Sequence, residues 1–356
     1  MIYDINLSYE ENLAQPPVID KPVEFSGKPK FRLMGREVWA PIGIAAGILP
    51  NSDYIKAAVE AGAPILTYKT VRTEERECHP FPNCLFLAPD TVVKPGFPAV
   101  ASRKTTGDTM TNSFGMPSVH PNVWMYDVNK AQSYVDEKPG RMMIVSVVGT
   151  PNASAPNQRK HLADDYALCA ELAVEAGAKA IELNLSCPNV GKEGLGSIYQ
   201  DSELTSEIIR TVRKDIGSEI PLLIKVGYYE DESKMKSVAA AALKAGVSGF
   251  VGINTISMNV VDKDGNQALP GAGRLSSGVC GAGIAPYAER WLESMLKLRH
   301  EMKADFAIGS SGGIMTHEKF GERLERGADF ALSTTGAMLR PEIFGDFFKA
   351  AGQRNS

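Results

Sequence analysis

A chain of 356 residues, 44% hydrophobic and 22% charged, has the makeup of a folded globular protein, with length for two domains or for one α/β barrel. A formal net charge of -4 supplies no basic field for nucleic acid, and no apolar run is long enough to span a bilayer. The cysteines, at 78, 84, 169, 187 and 280, form no C-x-x-C pair, which argues against a zinc or iron–sulfur centre. Their odd number, in a chain whose first residues lack the basic-then-apolar order of a secretory signal, points to reduced thiols and a cytoplasmic home.

Residues 1–36 read as an irregular polar arm interrupted by Pro16, Pro17, Pro22 and Pro29. A short strand pair around 23–25 and 31–33 is expected to close the bottom of a barrel. From there, residues 37–356 read as one domain with a repeating rhythm. Strands are expected at 41–47 (PIGIAAG), 64–70 (PILTYKT), 142–149, 180–186, 221–227, 249–255, 306–313 and 330–336. Helices are expected at 51–61, 126–138, 161–177, 202–216, 232–245, 286–303, 316–326 and 341–351, several closed by glycine. Two long insertions interrupt the rhythm. The excursion 71–110 is rich in Pro, Thr and charge, and such loops are functional or carry small strands of their own. The stretch 256–285 reads as a Gly-rich loop. Eight strand-then-helix units suit a closed (β/α)8 barrel. A doubly wound open sheet is the alternative, weakened by the lack of a GxGxxG after the first strand.

The stretch IELNLSCPN (181–189) alternates Ile181, Leu183 and Leu185 against Glu182, Asn184 and Ser186, so a polar strand face points at a ligand or a polar network. It runs into Cys187, placed as a base or nucleophile but equally consistent with a buried structural thiol. In a (β/α)8 barrel the active site lies at the C-terminal strand ends. There the second strand carries Lys69, the fifth Lys225 and the sixth Asn254 and Thr255. Two lysines at inward strand ends imply an anionic or electron-rich ligand between them. Ser310, Ser311, Gly312 and Gly313 after the seventh strand, and Thr334, Thr335 and Gly336 after the eighth, allow backbone N–H groups to approach a phosphate. In NSFGMPS (112–118), Asn112, Ser113 and the amides of Phe114, Gly115 and Met116 could hold a carboxylate, or form a mere turn. None of the five histidines has metal-ligand spacing; His79 and His120 lie nearest the expected site.

Assembled, these residues resemble the dihydroorotate dehydrogenase family, most like its soluble class with a cysteine base. The carriers are Ala45–Gly47, TYKT (67–70), NSFGMPS, ELNLSCPN (182–189), Ile224–Lys225, Gly252–Thr255 and SSGGI (310–314), spread over about 41–340. The resemblance implies FMN on top of the barrel. Ala46, Gly47, Lys69, Thr70, Asn184, Lys225, Ser276, Gly278, Gly312, Gly313, Thr335 and Gly336 would hold it. Asn112, Asn184, Asn189, Asn254 and Thr255 would bond a pyrimidine ring, and the amides of Phe114, Gly115 and Met116 its carboxylate. Cys187 would take the C5 proton of dihydroorotate while a hydride leaves C6 for flavin N5. The chain departs from the family at Phe114, where Met is usual, at Thr335-Gly336, and in the length of the arm and excursion. No metal or nucleic acid is implied, no membrane helix is seen in the arm, the electron acceptor is unspecified, and a homodimer is expected. A dihydropyrimidine dehydrogenase-like enzyme acting on dihydrouracil, a Schiff-base lyase using Lys69 or Lys225, and a flavin-binding protein without catalysis are the alternatives.

Overall fold

The eight expected strands close on one another. In the computed structural model, which describes residues 1–102, 107–186 and 195–352, they are β3 (Ile42–Ile44), β4 (Ile65–Val71), β8 (Met142–Val147), β9 (Ile181–Asn184), β10 (Leu222–Val226), β11 (Gly249–Gly252), β14 (Ala307–Ser311) and β15 (Phe330–Ser333). Each pairs in parallel with the next in this order, and β15 pairs with β3, giving a (β/α)8 barrel. The helices outside it are α2 (Ser52–Glu60), α3 (Pro121–Asp136), α4 (Gln158–Glu175), α5 (Ser202–Ile216), α6 (Glu232–Ala245), α7 (Ala285–Met302), α8 (His317–Glu325), and the pair α9 (Thr335–Leu339) and α10 (Ile343–Ala350) where one closing helix was expected. Arg340 and Pro341 divide that pair, because proline offers no amide to continue the first helix. The sequence starts several of these helices itself. Asn51, Asn157, Asp201 and Asp231 are N-caps whose side chains accept from the first-turn amides of α2, α4, α5 and α6, each cap contributing about 1 kcal/mol.

Strand alternation sorts the core into two layers. Ile42, Ile44, Leu66, Val145, Ile181, Leu183, Leu222 and Ile224 point outward into the shell shared with the helices. Ile65, Met142, Ile144, Leu223, Val251, Phe330 and Leu332 point inward and fill the barrel. The floor is sealed by the hairpin β1 (Phe31–Leu33) and β2 (Arg36–Val38), which turns at Met34 and Gly35, both with positive φ as a two-residue turn of this hand requires. Leu33 and Val38 join the inward cluster. The closing strand pair is thus formed by 31–33 with 36–38; 23–25 is no strand, and Val23 instead donates to the Glu60 carbonyl at 2.8 Å.

Two further departures concern the insertions. The excursion supplies β5 (Cys84–Leu87), β6 (Pro98–Ser102) and β7 (Thr109–Asn112). The stretch read as a Gly-rich loop contains β12 (Ile256–Val261) and β13 (Ser276–Gly281) instead. Together they close a second barrel of five strands in the order β12-β13-β7-β5-β6. In ISMNVV the burial alternates, with Ile256, Met258 and Val260 buried, so the strand period was present but masked by the glycines around it. The arm also carries a helix, α1 (Tyr9–Ala14), opened by a capping box between Ser8 and Glu11, and its Ile2, Tyr3 and Tyr9 are buried in the main core. Among the described residues no helix is long and apolar enough to cross a membrane.

Candidate active site

The C-terminal strand ends of the large barrel face the small one, and a cleft of about 1310 Å³, open to solvent at its mouth, lies between them. The large barrel lines it with Lys69 and Thr70 from β4, Asn184 from β9, Lys225 from β10, Ser311 from β14 and Ser333 from β15. The loops after the strands add Ala46, Gly47, Ser186, Asn254, Thr255, Gly312, Gly313 and Thr335. The small barrel adds Cys84, Met110, Asn112, Gly278 and Cys280. The turn after β7 closes one side with Phe114, Gly115 and Met116.

Each polar group arrives by strand alternation. On β9 the outward residues Ile181 and Leu183 leave Glu182 and Asn184 facing the barrel interior. On β10, Leu222 and Ile224 point out, so Leu223 fills the interior and Lys225 stands above it, level with Asn184 on the neighbouring strand. Lys225 is 4% exposed and donates to Ser311 Oγ at 3.2 Å. Burial pushes its pKa down, opposed by the carboxylate of Glu182, itself fully buried and pushed up by desolvation against the pull of Lys225. The Ser146 hydroxyl lies beside Glu182 and favours its ionised form, although neither carboxylate oxygen makes a bond of good geometry among the described residues. Lys69, 8% exposed, donates to the Gly47 carbonyl at 2.9 Å. Three asparagines converge. Asn254 donates to the Ser186 carbonyl at 2.6 Å and to Asn184 Oδ1 at 3.4 Å, Asn184 donates to Thr70 Oγ1 at 3.4 Å, and Asn112 donates to Cys280 Sγ at 3.4 Å.

The turn 113–116 is buttressed by His79 and Arg72, and its Phe114, Gly115 and Met116 line the cleft. Gly115 and Met116 have φ of +77° and +51°, and a Cβ on Gly115 would come within 2.6 Å of His79. Glycine is therefore required there both by conformation and by space. His79 faces Ser113 Oγ at 3.3 Å and supports the turn from below. Arg72 binds the Met116 carbonyl at 3.1 Å, and Phe114 O accepts from the His79 amide at 3.0 Å. Among the described residues, the N–H groups of Phe114, Gly115 and Met116 donate to no protein acceptor. Successive amides of that kind form an anion-binding concavity.

Of the residues named from sequence, Ala46, Gly47, Lys69, Thr70, Asn112, Phe114, Gly115, Met116, Asn184, Lys225, Asn254, Thr255, Gly278, Gly312, Gly313 and Thr335 all line this one cleft. Ser276 does not. It is exposed at the start of β13, where its hydroxyl pairs with Ser257 at 2.8 Å. Gly336 sits behind the lining, where a Cβ would meet the Ile314 carbonyl at 2.4 Å. Cys187 and Asn189 lie outside the described residues. Sequence reading missed the apolar lining from Ile253, Ile284, Met315 and Met338, which carries no polar signature, and it missed Cys280, whose strand it took for loop.

The residues present fit a flavin mononucleotide. Gly312 and Gly313 line the cleft with φ of +106° and +75°, and a Cβ on Gly313 would strike Ala285 at 2.4 Å, so glycine is needed for this turn to pack on the start of α7, beside cleft-lining backbone that a phosphate could approach. Two buried cations and a partly apolar lining suit an electron-rich ring.

A family model described as dihydroorotate dehydrogenase matches residues 30–346. The chain belongs to the dihydroorotate dehydrogenase family. Within it, the chain is 38% identical over 343 residues to the dihydroorotate dehydrogenase of Dictyostelium discoideum, covering 92% of this chain and 90% of that one. It is 32% identical over 193 residues to the NAD-dependent dihydropyrimidine dehydrogenase subunit PreA of Escherichia coli K12, covering 53% of this chain and 43% of that subunit. Among solved structures, dihydroorotate dehydrogenase from Eimeria tenella in complex with ferulenol shares the fold, with a TM-score of 0.69 at 18% identity over 90% of this chain and 83% of that one. The family membership agrees with the resemblance carried by residues 41–340, and the family is one of flavin-dependent oxidoreductases.

Proposed function

We propose that the cleft binds FMN and oxidises dihydroorotate to orotate, a step of pyrimidine biosynthesis. The observation that carries this reading is the convergence, in one cleft, of two buried lysines, three asparagines and the amides of 114–116, which have no acceptor among the described residues. The amides of Phe114, Gly115 and Met116 hold the substrate carboxylate. Asn112, Asn184, Asn254 and Thr255 hydrogen-bond the ring and orient it; by resemblance Asn189 joins them. Lys69 and Lys225 would supply positive charge to a flavin bound here, and the backbone at Gly312, Gly313 and Thr335 would hold its phosphate. FMN, when bound, supplies the hydride acceptor.

Cys187 is the proposed base. Removing the C5 proton to its thiolate while the C6 hydride departs with its electron pair leaves the C5–C6 double bond of orotate and a protonated thiol, which balances the step. A thiol with an ordinary pKa of about 8.5 makes flavin reduction faster toward alkaline pH. The reading extends to a cytoplasmic homodimer. Dihydrouracil, the uncharged alternative, has no carboxylate for the amides of the 113–116 turn.

Anaerobic addition of dihydroorotate to the purified protein tests this directly. The expected result is bleaching of the flavin absorbance with release of orotate, and slow or absent bleaching in Cys187→Ala with FMN still bound. Bleaching by dihydrouracil and not by dihydroorotate would overturn the substrate, and fast bleaching in Cys187→Ala would remove that thiol from the step.

A further inference from the structure

The N-terminal arm is anchored to the body of the protein at two points. At one end the Ile2 amide donates to the carbonyl of Met338, a residue lining the cleft, at 2.9 Å. At the other, Tyr54 of α2 donates to the Asn12 carbonyl at 2.9 Å. The Asn12 side chain ties the arm to itself, accepting from the Asp4 amide and donating to the carbonyls of Asp4, Leu7 and Ser8. Between these anchors Tyr3 and Tyr9 are 3% and 8% exposed. Both rings pack on Phe114, the first residue of the amide-bearing turn: Tyr3 edge-on at 5.7 Å and 85°, Tyr9 at 6.4 Å and 66°. The Lys69 ammonium stands 4.7 Å from the centroid of the same Phe114 ring and 5.8 Å from that of Tyr9.

We propose that Tyr3 and Tyr9 are positioning residues of the active site, an aromatic brace that fixes Phe114, and through it both the anion-binding amides and the Lys69 ammonium. An aromatic edge contact and a cation over a ring face are both directional, so the Phe114 and Tyr9 rings beside Lys69, with Tyr3 bracing Phe114 from its edge, help define where the lysine stands. The rings, and not their hydroxyls, perform this. Tyr3 Oη is buried with no hydrogen-bond partner among the described residues, so phenylalanine can replace it without loss. The brace also explains how a turn with little secondary structure of its own keeps its place at the cleft. Its consequence for substrate rests on the function proposed above; its consequence for the turn does not.

The test uses the full-length, FMN-bound protein with Tyr3→Leu, Tyr9→Leu, Tyr3→Phe and Tyr9→Phe. Hydrogen exchange over 113–116, read by mass spectrometry, is expected to rise in both leucine variants and to stay at the wild-type rate in both phenylalanine variants. Orotate affinity, read from the flavin spectrum, is expected to fall about tenfold in the leucine variants, the scale of one lost ring or cation contact. KM for dihydroorotate should rise with it while kcat changes little. Leucine variants with wild-type exchange over 113–116, or with exchange raised equally throughout the barrel, would overturn the brace. Should the wild type ignore orotate, the substrate assignment falls and the exchange result still decides the brace.

Discussion

Glu182 is the residue whose placement asks most of its neighbours. A carboxylate with no exposed surface and no good hydrogen bond among the described residues is tolerable because Lys225, also buried, faces the same interior from the next strand. Desolvation pushes the Glu182 carboxyl up and the Lys225 ammonium down, and the charge of each opposes the shift of the other. Glu182→Gln should therefore destabilise the fold by about 3 kcal/mol, because it leaves an ammonium buried without a counter-charge. Urea unfolding checks this, and Glu182→Gln combined with Lys225→Met should recover part of the loss. If the single variant is as stable as wild type, the pair is not ionised together. The polar face of this strand was legible in the alternation of IELNLS. That Glu182 serves the barrel interior while Asn184 and Ser186 serve the cleft was not, because depth along a strand is set by the stagger between neighbours.

Among elements, the small barrel and its connecting loops are gathered around one buried side chain. Arg274 is 2% exposed and donates to the carbonyls of Pro80, Pro82, Pro270 and Ser113, tying the excursion and the turn after β7 to the entry of β13. Several of these carbonyls belong to prolines or adjoin them, where ladder bonding is interrupted, and a planar guanidinium can reach all four at once. Lysine keeps the charge and loses the fork. Arg274→Lys is expected to cost about 2 kcal/mol, consistent with buried carbonyls left unpaired, and to open the 71–110 excursion to proteolysis. Limited trypsin digestion with mass mapping reads it, and an unchanged pattern would show that other contacts hold the small barrel. Nothing in the residues around Arg274 marked it, since all of its partners except Pro270 lie near 80 and 113 and meet it only through the fold.

At the scale of the whole molecule, the barrel separates stability from chemistry by its two ends. The floor is apolar and closed by Leu33 and Val38, while the mouth gathers the lysines, asparagines and bare amides. Leu33→Ala should cost about 2–5 kcal/mol through the cavity it leaves. Orotate affinity should be untouched, because the hairpin lies at the opposite end from the cleft. Thermal unfolding beside an orotate titration would show it, and a parallel loss of affinity would mean that the floor strains the mouth.

The chain alone determined the eight-fold strand–helix rhythm, the capped helix starts and the inward lysines, because periods of two and 3.6 residues are local properties of the backbone. It also carried NSFGMPS and the alternating face of 181–186, since glycine at a left-handed position and polar groups on a buried face are constraints written into single residues. Only the tertiary structure decided that 71–112 and 256–281 share a second barrel, and that the arm returns to pack Tyr3 and Tyr9 on Phe114. Each of those depends on contacts between segments distant in sequence. Their free energy comes from burying surfaces that neither segment carries by itself.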